Sequence, residues 1–201
     1  MILQNKLNIT NQAQLARVEE RLSKTKAKLL FKSGVLGTLE VGTFEALSSI
    51  HRYLFEEIYD FAGKMREVNI SKGDFRFAPV SYLEASLANI EQMPQNSFDT
   101  IVEKYVEMNI AHPFREGNGR ATRIWLDMIF KTELKKVVDW NAIDKDDYLL
   151  AMQRSPIKDI EIKYLLKNNL SERIEDIHFF MKGIDASYYY EGYTTFKTEE
   201  L

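Results

Sequence analysis

Apolar residues recur at helical spacing along most of the chain, and two such runs flank one short polar turn. Residues 101–110 place apolar side chains every three or four positions, which predicts a helix with a buried face. Residues 124–130 are apolar almost all round, and a helix without a polar face belongs in the centre of a core. Between the runs, Pro113 ends the first helix, and Gly117 and Gly119 allow a sharp bend. The pattern therefore predicts a turn held between two buried helices.

The same periodicity, interrupted by glycine, proline and charged residues, predicts the remaining helices. They are expected at about 12–32, 44–58, 80–91 and 98–111, after Asp144, from Ser155 with Pro156 in the first turn, and from Ser171 to Gly183. His51 lies beside the apolar stripe of the second helix, where a hydrogen-bonded core histidine is favoured over a functional one. Residues 71–79 instead combine alternating Phe and Arg with turn formers, which predicts a short hairpin. One all-α domain, residues 1–201, is therefore expected.

Composition narrows the class of protein. A chain of 201 residues, 45% of them hydrophobic, is long enough for one domain with a sizeable core. The net charge of −3 argues against a nucleic-acid-binding surface, which is normally basic. The chain has no cysteine, so disulfides, thiolate zinc sites and thiol nucleophiles are excluded. No run approaches the ~20 apolar residues of a membrane helix and no secretory signal is visible, so a cytoplasmic protein without a membrane partner is expected.

The polar turn has the features of a phosphate-binding site. Gly117 and Gly119 let backbone N–H groups approach an anion, and the following helix points its free N–H groups and positive dipole end at the same place. Arg120 and Arg123 share one face of the first turn of that helix, and two neighbouring cations there require an anion. Their guanidinium groups match phosphate oxygens in geometry. Asn118 can donate a further hydrogen bond to a phosphoryl oxygen.

Two further residues of the turn suit transfer chemistry. Glu116 is an oxygen ligand of the kind that Mg²⁺ uses together with substrate phosphates. His112 has an unperturbed pKa of about 6.5, so at neutral pH it can accept a proton from an incoming hydroxyl. A purely structural turn is the alternative, and it leaves the clustering of these charged groups unexplained.

Residues 112–123 carry a family resemblance. They read His-Pro-Phe-Arg-Glu-Gly-Asn-Gly-Arg-Ala-Thr-Arg and match every fixed position of the signature His-x-Phe-x-(Asp/Glu)-Gly-Asn-Gly-Arg-x-x-Arg of Fic proteins. The resemblance implies a Fic/Fido-type helical domain with this catalytic loop in a central helix hairpin. It implies transfer of AMP from ATP to a Ser, Thr or Tyr hydroxyl of a target protein. It further implies that His112 is the base, that Glu116 holds Mg²⁺, and that Gly117 to Arg120 and Arg123 bind the nucleotide.

The hairpin at 71–79 resembles the flap of Fic proteins, which covers the active site and holds the target segment by strand addition. Such docking uses main-chain hydrogen bonds and tolerates many target sequences. The resemblance implies that the partner is a target protein docked at the flap. Lys72 can reach a nucleotide phosphate from this position, and a solvated surface lysine is an equally good interpretation. A plain surface hairpin is the alternative for the whole segment.

The segment Ser187-Tyr188-Tyr189-Tyr190-Glu191-Gly192 is the second informative element. Ser187 and Glu191 lie one helical turn apart, and Gly192 is placed to end a short helix at about 185–192. The pattern resembles the (Ser/Thr)-x-x-x-Glu-(Gly/Asn) inhibitory motif of the short, single-domain bacterial class of Fic proteins. That resemblance implies that Glu191 pairs with Arg123 and so keeps this arginine from binding the γ-phosphate. A surface helix is the alternative, because Ser-x-x-x-Glu alone is a weak pattern.

Several questions stay open at the level of sequence. Some Fic proteins with an inhibitory glutamate also remove AMP, with the residue corresponding to Glu191 positioning water, and a nucleotide-binding regulatory module without turnover is another alternative. The presence of His112 and Glu116 argues against pure binding. Packing is favoured for at least two of the three tyrosines at 188–190, and one of them could accept AMP. Assembly into a homo-oligomer is compatible with the sequence. Guesses for the adenine pocket are Tyr148, Met152 and Trp140.

Overall fold

The helices that flank the polar turn lie in the centre of the molecule. A computed structural model describes residues 2–73 and 75–201, and this part of the chain forms eight α-helices and two pairs of short antiparallel strands. The helices are α1 Gln12–Lys32, α2 Phe44–Phe55, α3 Val80–Gln92, α4 Phe98–Ala111, α5 Asn118–Leu134, α6 Lys145–Arg154, α7 Ile160–Asn168 and α8 Ile177–Tyr190. The strands are β1 Ser71–Lys72, β2 Phe75–Arg76, β3 Val137–Val138 and β4 Leu170–Ser171.

Helix α5 forms the core of the domain. It packs against α4, α2 and α8, and α1 covers α2 and α8 from outside. Trp125, Leu126, Ile129 and Phe130 on α5 are all fully buried, which confirms the prediction from their all-round apolar pattern. Across the described residues, no helix combines the length and the apolar character needed to cross a lipid bilayer.

Helix starts in the first half of the chain agree with the predictions. Thr43 caps α2, since its side chain accepts a hydrogen bond from the N–H of Ala46. Helix α2 ends at Phe55, three residues earlier than expected, because the chain turns there while Ile58 remains buried. The hairpin is confirmed as an antiparallel pair in which Ser71 faces Arg76 and Lys72 faces Phe75. Asp74, within the predicted flap, lies outside the described residues.

The prediction of a helix from Ser155 and Pro156 was wrong. Ser155 instead follows the last residue of α6, and its hydroxyl donates to the carbonyl of Met152, which satisfies a free carbonyl at the helix end. The chain then turns, and α7 begins only at Ile160. Ile157, expected within that helix, lies in the turn and is 96% exposed. A proline after a serine gives the same sequence pattern in the first turn of a helix and in a turn that follows a helix, so the sequence alone did not distinguish the two.

The predicted helix from Ser171 to Gly183 was also wrong. Ser171 pairs with Val137 in a strand ladder, and α8 starts at Ile177 with Asp176 as its cap. Gly183 lies inside α8, where an added Cβ would be 3.4 Å from the Trp140 ring, so this glycine permits close packing and does not end the helix. Helix α8 therefore runs on to Tyr190, and the segment predicted as a separate helix at 185–192 is its last turns.

The chain after α8 folds back onto α1. The carboxylate of Glu20 accepts hydrogen bonds from the N–H groups of Thr195 and Phe196. The ammonium of Lys24, 2% exposed, lies 3.0 Å from the Glu20 carboxylate and 3.1 Å from that of Asp185 on α8. These contacts fix the end of α8 against the first helix, and they thereby hold residues 187–192 in place.

Candidate active site

One open cleft collects most of the residues that the sequence singles out. Its volume is about 1000 Å³, at the upper end of the range for ligand pockets. The flap, the catalytic loop, α6 and the end of α8 line it. Lining residues predicted to function are Lys72, His112, Glu116, Gly117, Asn118, Gly119, Arg123, Glu191 and Gly192, together with Tyr148 and Met152 from the guessed adenine pocket. Trp140 packs instead against Gly183, and its carbonyl accepts from the Tyr190 hydroxyl.

His112 lines the cleft, and among the described residues its Nε2 has no hydrogen-bond partner. It ends α4 in a left-handed conformation with φ of 46°, which is uncommon for a residue other than glycine. Its Nδ1 lies 3.1 Å from the carbonyl of Asn109, which can only accept, so the proton is on Nδ1 and Nε2 keeps its lone pair. Phe77 of the flap stacks on the ring at 3.6 Å between centroids. Burial lowers the pKa of His112 to about 4, so the ring is neutral at pH 7.

The catalytic loop is held by side chains of its own and by a core histidine. The Asn118 amide accepts from the Phe114 N–H and donates to the Phe114 carbonyl, both at 2.8 Å, which closes the turn. His51, fully buried, accepts from the Gly63 N–H at Nδ1 and donates from Nε2 to the carbonyl of Glu116 at 2.8 Å. Burial lowers the pKa of His51 to about 3. The prediction of a hydrogen-bonded core histidine is confirmed, and this histidine also supports the loop.

Glu116 fits the role of a Mg²⁺ ligand when the other ligands come from substrate phosphates and water. Its side chain is 45% exposed, and its Oε1 accepts from the Gly117 N–H at 3.0 Å and from Arg120 at 3.3 Å. Among the described residues, no three His, Cys, Asp or Glu side chains cluster as a complete metal site. A single carboxylate is nevertheless sufficient where phosphate oxygens and water complete the shell of Mg²⁺.

Arg120 lies beneath the cleft. It is 1% exposed, and its Nη1 lies 2.5 Å from the carboxylate of Glu19 on α1. Tyr59 and Tyr193 also donate to this carboxylate. Burial by itself would raise the pKa of Glu19, but the Arg120 charge and the tyrosine hydroxyls hold it below the ordinary value. Glu19 was missed by the sequence analysis, because nothing local distinguishes it from the other charged residues of α1.

Arg123 is held by residues at the end of α8. Its Nε donates to the Ser187 hydroxyl at 2.7 Å, and its Nη2 donates to the Ser187 carbonyl and to Glu191 Oε1, both at 2.9 Å. Its Nη1 donates to the Tyr148 hydroxyl at 3.2 Å. Burial would raise the pKa of Glu191, but the charges of Arg123 and Lys72 lower it to about 2. The carboxylate is therefore ionised at neutral pH and paired with Arg123.

Glu191 also occupies the start of α5. An added Cβ at Gly119 would lie 2.4 Å from Glu191 Oε1, so the carboxylate fills the space that the missing side chain leaves. The other oxygen, Oε2, lies 3.6 Å from the Lys72 ammonium of the flap. The anion expected at the helix N-terminus is thus supplied by the protein itself. Gly192 follows with φ of 90° and ends the segment as predicted.

The three tyrosines at 188–190 are divided between the core and the surface. Tyr188 and Tyr190 are 1% and 3% exposed, whereas Tyr189 is 51% exposed. Packing for two of the three is therefore confirmed.

Solved Fic domains share this fold. The FIC domain of Bep8 from Bartonella sp. 1-1C matches with a TM-score of 0.72 and 18% identity, over 86% of this chain and 92% of that chain. BepC from Bartonella tribocorum, crystallised with AMPPNP, matches with a TM-score of 0.68 and 19% identity, over 85% of this chain and 93% of that chain. The class defined by fold and site is thus that of Fic domains.

Sequence comparison identifies the family. A family model described as Fic/DOC family matches residues 42–130. The "Probable protein adenylyltransferase Fic" of Escherichia coli K12 is 30% identical over 79% of this chain and 82% of that protein. "Protein adenylyltransferase VbhT" of Bartonella schoenbuchensis is 28% identical over 85% of this chain, which spans only 37% of VbhT. The chain belongs to the Fic/DOC family.

Proposed function

We propose that this chain is a protein adenylyltransferase that moves AMP from ATP to a Ser, Thr or Tyr hydroxyl of a target protein. The observation that carries the proposal is the arrangement of the cleft, where the free Nε2 of His112 and the N-terminus of α5 face the same space. The names of its relatives, protein adenylyltransferases, support the same reaction. A target segment would dock along the flap, whose short strands offer main-chain groups for pairing.

The reaction requires one proton acceptor and an anion site. The target hydroxyl oxygen attacks the α-phosphorus of ATP, its proton passes to His112 Nε2, and the bond to pyrophosphate breaks. The Nδ1–H bond to Asn109 and the stacked ring of Phe77 orient the imidazole for this transfer. The low pKa of His112 keeps it in the accepting form.

The catalytic loop would hold the phosphates. N–H groups around Gly117 and Gly119 lie at the N-terminus of α5, and Asn118 retains a second amide N–H for a phosphoryl oxygen. Arg123 would orient the terminal phosphates through its guanidinium. Arg120, also predicted to bind phosphate, would contribute its charge from beneath the loop, next to Glu19. Glu116 would hold Mg²⁺, which neutralises charge that develops on the departing pyrophosphate.

We further propose that the isolated protein is autoinhibited. Arg123 donates to Glu191 and Ser187 and cannot simultaneously clamp a phosphate. ATP could still enter the cleft, but its phosphates would be misaligned for transfer. The inhibitory segment is Ser187 to Gly192, at the end of α8.

Incorporation of label from α-³²P-ATP tests these proposals. The wild type, Glu191→Gly and the double variant Glu191→Gly with His112→Ala are incubated with Mg²⁺ and a cell lysate as a source of targets. Label in the Glu191→Gly reaction alone supports transfer, base and inhibition together. Absence of label from all three reactions would count against transfer and favour AMP removal or nucleotide binding without turnover.

The pH dependence of transfer should report the buried state of His112. Because the pKa of His112 is about 4 with Glu191 in place, the rate of the Glu191→Gly protein should stay constant from neutral pH down to about pH 5 and fall only at or below about pH 4. Glu191 raises the pKa of His112, so its removal moves this fall to lower pH. The measurement is kcat/KM against pH with Mg²⁺ in excess, with circular dichroism as the control for folding. A fall centred near pH ~6.5, the value for a solvated histidine, contradicts the prediction.

Lys72 should affect nucleotide binding modestly. Its side chain is 68% exposed and its contact to Glu191 is long, so the interaction is weak. In the Glu191→Gly protein, Lys72→Met should raise the KM for ATP by about two- to fivefold with little change in kcat, since one exposed charge near the phosphates is lost. Lys64→Met, which removes another exposed lysine outside the cleft, is the control. Equal KM values for both variants would identify Lys72 as an ordinary surface residue.

A further inference from the structure

We propose that Arg66 is a positioning residue that locks the flap and the catalytic histidine into one arrangement. The inference rests on the proposed function for its kinetic consequence. Its structural basis is independent of that function, since the Arg66 side chain makes four hydrogen bonds, all to backbone carbonyl oxygens of the two segments that enclose the cleft.

Two of these bonds hold the end of α4. Arg66 Nε donates to the carbonyl of His112 at 2.8 Å, and Nη2 donates to the carbonyl of Ala111 at 3.1 Å. The backbone N–H of Arg66 donates to the carbonyl of Pro113 at 2.8 Å. Carbonyls at a helix C-terminus have no partner within the helix and carry partial negative charge. The guanidinium therefore binds the part of α4 from which the catalytic loop departs.

The other two bonds hold the base of the flap. Arg66 Nη1 donates to the carbonyl of Val68 at 2.8 Å, and Nη2 donates to that of Ala78 at 2.5 Å. Val68 precedes β1 and Ala78 follows β2, so one side chain joins both ends of the strand pair. The N–H of Ala78 also donates to the carbonyl of Ile110 in α4 at 2.9 Å.

These contacts determine the position of the imidazole. His112 has a left-handed backbone, and such a conformation persists in a non-glycine residue only when its surroundings fix it. Phe77, one residue before Ala78, stacks on the His112 ring. Arg66 thus holds the backbone of His112 through one set of hydrogen bonds and the residue next to Phe77 through the other. Loss of Arg66 should therefore release both the imidazole and the ring that stacks on it.

Burial of the charged Arg66 side chain costs free energy, which indicates that its position serves a specific purpose. The residue is 4% exposed, and burial lowers its pKa. Lys104, a buried cation on α4, serves as the matched control. It is 2% exposed and donates to the carbonyls of Glu91 and Met93 and to the amide oxygen of Gln95. It does not line the cleft. Comparison of the two residues separates a general effect on stability from an effect on the active site.

The test compares Arg66→Lys and Lys104→Met, each in the full Glu191→Gly chain. Arg66→Lys retains the charge but loses the planar fork that reaches four carbonyls. We expect its kcat to fall by between about tenfold and about 100-fold while the KM for ATP changes by less than about twofold, because the base and flap are misplaced and the phosphate site is not. Lys104→Met should lower the melting temperature and leave kcat unchanged.

A titration of ¹³C-labelled histidine rings provides a readout that does not depend on AMP transfer. The chain has three histidines, and His51 serves as an internal control because its pKa is set by burial, its bond to the Glu116 carbonyl and the charges of Arg120 and Glu19. In Arg66→Lys the pKa of His112 should rise from about 4 by about one unit or more as the ring becomes solvated, with His51 unchanged. This titration compares the wild-type chain with Arg66→Lys alone. The nearby charges of Glu191 and Lys72 and the positive charge at position 66, which also act on His112, are then the same in both proteins.

Each outcome decides the proposal. An Arg66→Lys protein with the kcat and the His112 titration of its parent overturns it, as does an equal loss of kcat in Lys104→Met. If the Glu191→Gly parent itself transfers no AMP, the proposed function fails, whereas the histidine titration still tests the positioning role of Arg66.

Discussion

Replacing Glu191 by glycine should raise the rate of AMP transfer by about 100-fold, the order of magnitude that a misplacement of reacting groups by ~1 Å costs. In the wild type, the Glu191 carboxylate binds the Arg123 guanidinium at 2.9 Å and fills the space beside Gly119 at the start of α5. Its pKa of about 2 keeps it charged at any pH at which the protein would be assayed. The substitution removes both the competitor for Arg123 and the anion at the helix N-terminus.

The same substitution should change the response to nucleotide. Removal of one partner from a buried ion pair leaves Arg123 without a counter-charge and destabilises the protein. ATP with Mg²⁺ would supply that charge, so it should raise the melting temperature of Glu191→Gly more than that of the wild type. Glu191→Gln, which keeps the size of the side chain and loses its charge, is the matched control and should show intermediate transfer. An unchanged rate of label incorporation in Glu191→Gly would refute autoinhibition.

Replacing His112 by alanine in the Glu191→Gly protein should lower transfer by about 10²- to 10⁴-fold, the usual contribution of a general base. Nε2 of His112 is the free acceptor of the ring in the cleft, whereas the phosphate site lies at the N-terminus of α5. Nucleotide affinity, measured by calorimetry, should therefore remain within about threefold of the parent.

His178 offers a control for the histidine substitution. It is exposed on α8 and does not line the cleft, so His178→Ala should leave both transfer and nucleotide affinity unchanged. Transfer by His112→Ala near the parent rate would refute the assignment of the base. A loss of nucleotide binding together with transfer would indicate that the loop had collapsed.

Local signals predicted the elements that local interactions determine. The spacing of apolar residues and the capping residues placed α1, α4 and the start of α2 correctly. The residues that produce one-sided burial and helix caps lie close together in sequence, so the pattern is visible locally. The turn between two buried helices was predicted correctly, and the roles of its residues stay predictions, drawn from the residue types and spacing that the chemistry requires. The pairing of Arg123 with Glu191, 68 positions apart, was predicted through the family resemblance and is present in the structure.

Tertiary packing decided the features that the sequence analysis missed. Gly183 has the local signal of a helix end, but the close approach of Trp140 determines its role. Glu19 and Arg66 belong to the site only because distant segments meet there. Glu19 lies 101 positions from Arg120, and Arg66 lies 46 from His112. Such contacts cannot be predicted from the spacing of residues within one helix or one turn.

The bare backbone at Gly119 restricts the evolution of this protein. Under the proposed autoinhibition, a side chain there would displace the Glu191 carboxylate and end inhibition, but it would also fill the start of α5, where the proposed phosphate site lies. Mutations in the catalytic loop that abolish regulation are therefore expected to abolish catalysis as well. A lineage that evolves a constitutively active enzyme has to change residues outside the loop, of which Glu191 and Ser187 are the most direct. If the proposed autoinhibition holds, regulation and activity can thus be selected separately, although both depend on the guanidinium of Arg123.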